Sequence, residues 1–191
     1  MERLIIFGDS FGVQKTLELF NSWVTLLDNH FEIENRCECG VGQYKILQQL
    51  KNTDLTKFDK ILITHTSPTR VYVKDNPIHK NSVYYKNCDI LFADIENHVD
   101  EFSVACKLYF KHIFDFNYAI DIHNMICQEI DKLCKGKTTI HMTNFDYTNM
   151  YSFPNLINFY PLFLKNKGEV NHYNEVGNNK IYQTLLTELS K

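Results

Sequence analysis

A serine, a histidine and a carboxylate are enough to make a hydroxyl nucleophilic, and this chain holds candidates for all three at its two ends. Near the start, the apolar run Ile5-Ile6-Phe7 leads into Gly8-Asp9-Ser10-Phe11-Gly12, so Ser10 falls in the turn that leaves a strand. Near the finish, Glu169-Val170-Asn171-His172 sets an acid three residues ahead of a histidine, just before a helical pattern. In a turn entering a helix, residues three apart can lie on one side. Glu169 could then hold the His172 imidazole in one tautomer while its other nitrogen faces Ser10. Each residue also has an ordinary structural reading: Ser10 as a helix cap, His172 as a surface histidine, Glu169 as a solvated side chain.

Further residues could assist. His65-Thr66-Ser67-Pro68-Thr69-Arg70 follows the clearest strand of the chain and so reaches the same end of a parallel sheet. The planar fork of Arg70 suits a carboxylate or phosphate on a substrate, and it suits a structural salt bridge equally well. Cys39-Gly40-Val41-Gly42 permits a close backbone approach that side chains would block. His65, His141 and His172 could in principle meet at a metal, but no HExxH-like spacing supports this, and hydrogen-bonded core histidines are the commoner outcome. The six cysteines show no paired CxxC spacing and no disulfide-scaffold density, so reduced thiols are expected. Cys127 and Cys134, seven apart in a helical pattern, share a face and are expected to be buried.

The elements that must position these residues alternate strand with helix. Strands are expected at the opening apolar run, at 31–36, 58–64 and 138–143, and more weakly at 156–160, stopping before Pro161. Helical spacing predicts helices over about 15–29, 44–50, 95–110, 119–133 and 174–189, with Trp23 in the core and Gly136 as a C-cap. Residues 71–89 are polar, tyrosine-bearing and broken by Pro77, which predicts an irregular excursion of the length common in lids and binding loops. Such alternation means a mainly parallel sheet with right-handed crossovers, a three-layer α/β/α sandwich.

At 191 residues the chain suits one domain, and 44% hydrophobic residues with 14% aromatics argue against disorder. A net charge of −3 supplies no basic field for a nucleic-acid backbone. The opening residues lack the charge and length of a signal peptide, and no apolar run would span a bilayer, so the expectation is a cytoplasmic protein with no membrane partner. A virion-associated protein would show the same lack of signals.

Gly8-Asp9-Ser10 after the first strand, Gly40 after the second, and acid-x-x-His followed by Asn174 and Gly177 before the last helix resemble the SGNH/GDSL hydrolase family over nearly the whole chain. The resemblance implies a flavodoxin-like five-stranded fold. Ser10 would be the nucleophile, His172 the general base, Glu169 the orienting acid and Gly40 an oxyanion donor through its N–H. Two departures stand out. Glutamate replaces the usual aspartate, and the Gly-x-Asn-Asp block is replaced by His65 to Arg70, so that Thr66, Ser67 or a loop amide must supply the third oxyanion donor. The Thr-Ser-Pro-x-Arg run looks like a divergent subgroup with viral and bacterial members. The expected function is a serine esterase removing a small acyl group, such as acetyl, from a carbohydrate or similar polar substrate, with Asp9 and Arg70 at the substrate and no cofactor or metal. Alternatives are an acyl transferase, a catalytically weak module binding a glycan or a protein, and, on topology alone, a nucleotide binder.

Overall fold

A computed structural model describes residues 1–13, 22–92, 95, 100–168 and 172–191. Five strands, β1 (Arg3–Phe7), β2 (Glu32–Asn35), β3 (Lys60–His65), β4 (Thr138–Thr143) and β5 (Leu156–Asn158), form a sheet of order β2-β1-β3-β4-β5. Every pairing is parallel. The helices are α1 (Trp23–Leu27), α2 (Gln43–Lys51), α3 (Glu101–His112), α4 (Phe116–Cys134), α5 (Tyr160–Lys165) and α6 (Glu175–Leu189).

The strand period of two sorts side chains onto the two faces. Leu4, Ile6, Leu62 and Met142 pack on one side with Trp23, Phe163, Ile181 and Leu185 from α1, α5 and α6. Ile5, Phe7, Ile61 and Ile63 pack on the other with Ile46 and Leu50 of α2 and Cys127 and Ile130 of α4. Because both faces are covered, β3 is buried along its whole length, as its unbroken apolar run predicts. The result is the expected three-layer sandwich. Its strand order reverses between β1 and β3, and it is beyond the carboxyl ends of strands at such a reversal that open α/β sheets bind ligands.

Local details depart from expectation in two places. Pro161 does not end a segment but occupies the first turn of α5, where its missing N–H costs nothing. The first helix is described only over Trp23–Leu27, capped by the Ser22 hydroxyl; residues 14–21 of the expected span lie outside the described residues, as do 93–94 and 96–99 of the 95–110 helix. Residues 71–89 carry no helix or strand, as expected, and are closed at the base by an antiparallel bridge between Val71 and Ile90. Trp23 is core, and Cys127 and Cys134 are both buried. All six cysteines are free thiols. No helix among the described residues is long and apolar enough to cross a membrane.

Candidate active site

Strand register sets the site. Phe7 pairs with Ile63, so the segments that carry Ser10 and Thr66, three residues beyond each, leave the sheet at the same carboxyl edge. Ser10 opens a short 3-10 turn, Ser10–Gly12, whose cap is Asp9: its carboxylate accepts from Phe11 N at 3.1 Å. Ser10 is thus the first residue of that turn and not its cap; the start of the helix expected over about 15–29 lies outside the described residues. The Ser10 hydroxyl makes no hydrogen bond to a described residue. Asn35, at the end of β2, braces the turn by donating to Gly12 O at 2.8 Å while accepting from Cys37 N at 2.9 Å.

His172 comes to this turn from the other end of the chain. Its ring lies 5.1 Å from the Phe11 ring, centroid to centroid, one residue from Ser10. The segment bearing it is folded back by an antiparallel bridge between Lys167 and Tyr173, with Gly168 N donating to His172 O at 2.6 Å. Asn174 then caps α6 through Gly177 N at 2.9 Å. Among the described residues Ser10 and His172 share no direct hydrogen bond; Phe11 joins them. Catalytic contacts are commonly long until substrate binds. Glu169 lies outside the described residues.

The oxyanion candidates separate. Gly40 has φ +73°, a left-handed conformation, and a Cβ there would collide with Cys88 Sγ, so glycine is required twice over. Its carbonyl accepts from Asp89 N at 3.1 Å, while its N–H donates to no described residue. Gly42, the other glycine of that turn, has its N–H tied to Asp89 Oδ2 at 2.6 Å. Ser67 is engaged with Thr69, hydroxyl to hydroxyl at 2.8 Å, in a turn that also takes Thr69 N. Thr66 is fully buried, its N–H is given to Gln43 Oε1 at 3.2 Å, and its hydroxyl has no hydrogen-bond partner. Gly40 N–H and Thr66 Oγ1 are therefore the uncommitted donors.

Asp9 and Arg70, expected at the substrate, are spent on each other. Arg70 Nη2 lies 2.8 Å from Asp9 Oδ2, with the carboxylate wholly buried and the guanidinium side chain 10% exposed. Arg70 Nη1 donates to Val41 O at 2.5 Å, and the guanidinium covers the Phe145 ring at 5.3 Å. This is the salt bridge that the Arg70 side chain suited as well as it suited a substrate, and it ties the two residues expected at the substrate to each other.

His65 and His141 also meet, ring nitrogen to ring nitrogen. Gln43 turns its Oε1 to Thr66 N, so its amide nitrogen donates to His65 Nδ1 at 2.8 Å. The His65 proton must then be on Nε2, donated to His141 Nδ1 at 2.9 Å. Burial holds His65 well below the ordinary imidazole range, with His141 and His123 adding repulsion, and burial brings His141 to about 4. Both rings stack on Phe153, on the α2 and α4 side of the sheet, whereas His172 packs with Phe11 on the other. Among the described residues no three metal-ligating side chains converge.

Sequence reading missed Asp89. Fully buried, it accepts from Gly42 N and Val73 N and pairs with Lys45 Nζ at 2.9 Å, which fixes the 71–89 loop to the Gly40–Gly42 turn. Only its place at the end of the loop, next to the apolar Ile90-Leu91-Phe92, hints at burial.

In fold, then, this is a doubly wound α/β protein of the 2-1-3-4-5 order, with Ser10, Gly40 and Thr66 on the segments that follow β1, β2 and β3 and His172 packed beside the first of them. No family model matches the chain, and no curated protein matches it. Among solved structures, a structural-genomics crystal structure of a protein from Lactobacillus plantarum is similar over 99% of this chain and 96% of its own, at 11% identity and a TM-score of 0.45.

Proposed function

We propose that the protein is a serine esterase of SGNH type, releasing a small acyl group such as acetyl from a carbohydrate or similarly polar alcohol. The supporting observation is the packing of His172 on Phe11, which brings a potential base from the end of the chain beside the serine turn at its beginning. Ser10 Oγ attacks the ester carbonyl as its proton passes to His172. Gly40 N–H, the Ser10 amide and the Thr66 hydroxyl face the developing oxyanion. The alcohol leaves with the proton from His172, and water activated by the same imidazole frees Ser10. Glu169 is the orienting acid in this reading.

A fluorophosphonate probe tests the nucleophile. The native chain should label once, and Ser10→Ala should abolish labelling; a native chain that stays unlabelled, or a variant that still labels, overturns the esterase. The first of those results would favour a binding module, a reading supported by the loss of the Ser67 hydroxyl to Thr69 and of the Thr66 N–H to Gln43.

Thr66→Val gives an independent check. Its hydroxyl is buried and unpartnered, so an isosteric methyl should leave the urea midpoint unchanged or slightly higher. Turnover of an acetyl ester should nonetheless fall about a hundredfold. A stability loss with unchanged turnover would assign Thr66 to structure alone.

A further inference from the structure

Asn178, Ile181 and Leu185 recur at helical spacing on α6, so the face that buries two aliphatic side chains also buries an amide, 5% exposed. A leucine would serve packing there, whereas an amide is costly unless its hydrogen bonds are made. Both polar atoms of Asn178 are engaged. Its Nδ2 donates to Tyr173 O and to Asn174 O, both at 3.1 Å, and its Oδ1 accepts from Trp23 N at 3.0 Å.

Trp23 opens α1, so its N–H is one that no carbonyl of its own helix can take. Asn178 takes it from 155 positions away. The same tryptophan, also buried, donates from its indole Nε1 to Phe11 O at 2.8 Å. One bridge therefore runs from Phe11 O through Trp23 and Asn178 to Tyr173 O. Its ends are the residues that follow Ser10 and His172 in the chain. The far end is anchored again at its side chain: Tyr173 Oη donates to Asn144 Oδ1 at 2.8 Å, and Asn144 Nδ2 donates to Thr64 Oγ1 of β3 at 3.1 Å.

We infer that Trp23 and Asn178 are positioning residues: by fixing the backbone after Ser10 to the backbone after His172, they set the imidazole against the serine turn. Both are buried and act through the neighbours of the reacting groups. The spacing they hold is that of the His172 and Phe11 rings, 5.1 Å between centroids. A misplacement of about 1 Å between reacting groups can lower turnover about a hundredfold, which gives hydrogen bonds at this remove their effect on rate. The inference deepens the esterase reading and rests on it for turnover; the placing of the ring does not depend on what the ring does.

Trp23→Phe keeps an aromatic ring and removes the Nε1–H, Asn178→Leu keeps the volume and removes all three bonds, and Leu185→Ala, on the same helix face, controls for lost stability alone. The full-length variants are compared by urea midpoint, by the His172 ring-proton shifts, which the Phe11 ring current makes sensitive to position, and by kcat and KM on an acetyl ester. In Trp23→Phe and Asn178→Leu the His172 resonances should move, and kcat should fall about tenfold to a hundredfold at unchanged KM. Leu185→Ala should lower the urea midpoint through the cavity it leaves, with the His172 resonances and kcat as in the native chain. Bridge variants that lower the midpoint but leave the His172 resonances in place would overturn the inference, as would a Leu185→Ala variant that moves them equally or, in an active native chain, an unchanged kcat in the bridge variants. If Asn178→Leu fails to fold, Trp23→Phe decides it. A native chain without esterase activity would overturn the esterase reading alone, because the His172 shifts are read without substrate and still judge the bridge.

Discussion

Arg70→Met should destabilise the protein by about 3–5 kcal/mol, seen as a lower urea midpoint at unchanged slope. Exposed ion pairs contribute little, but this one is enclosed: the Asp9 carboxylate has no solvent contact, and the Arg70 side chain has little. Without the guanidinium, Asp9 keeps one backbone N–H, from Phe11, as compensation for a buried charge. Val41 O and the Phe145 face lose their partner as well. Adding Asp9→Asn to Arg70→Met should recover part of the loss, because the uncompensated charge goes while the cap on the serine turn can remain. A single-variant loss below about 1 kcal/mol would mean that water screens the pair as it does at a surface.

Acid should weaken the fold well before carboxylates protonate in bulk. His123 and His141 sit at about 4 in the folded chain against about 6.5 unfolded, so between those values the unfolded chain binds more protons and stability rises with pH. Their contribution is complete above about pH 6.5 and is lost as pH falls toward 4. At pH 5 each costs ~2 kcal/mol relative to pH 7.5, ~4 kcal/mol together, and His65, shifted in the same direction, adds to this. The hydrogen-bond relay gives a second reason. A proton arriving on His65 Nδ1 would face the amide donor of Gln43, and one on His141 Nδ1 would face the Nε2–H of His65. Urea titrations at pH 7.5 and 5, with histidine ring resonances followed in parallel, measure the effect. Equal midpoints at the two pH values, or rings that titrate near 6.5 in the folded chain, would refute it.

Much of the scaffold is legible in the sequence because it is written locally. The β-branched Thr138, Thr139 and Ile140 mark β4, the Ile61-Leu62-Ile63 run announces a strand covered on both faces, and Asn174 and Gly136 mark helix ends by their chemistry. The α5 helix was hidden because a proline after a short apolar stretch reads as a stop, although the first helical turn tolerates it equally well. The site was legible only as residue types. Ser10, Gly40, Thr66 and His172 can be picked out along the chain, but the partners that decide which are free are remote: Asn35 for the serine turn, Gln43 for Thr66, Asp89 for Gly42, and Asp9 for Arg70. No local period encodes a hydrogen bond between residues 47 positions apart, such as that from Gly42 to Asp89. Arg70 shows the limit most clearly, since its side chain suits a substrate carboxylate and a buried aspartate alike.

The cage around Phe11 bears on how the protein is made. The rings that enclose it, Phe145, Phe163, His172 and Tyr173, stand 5.1–5.6 Å away and all lie far downstream. A nascent chain can pair β1 with β3 as soon as both have left the ribosome. The turn after β1 must nevertheless wait, its central aromatic uncovered, until Tyr173 has emerged, so that the serine turn is packed later than the sheet that carries it.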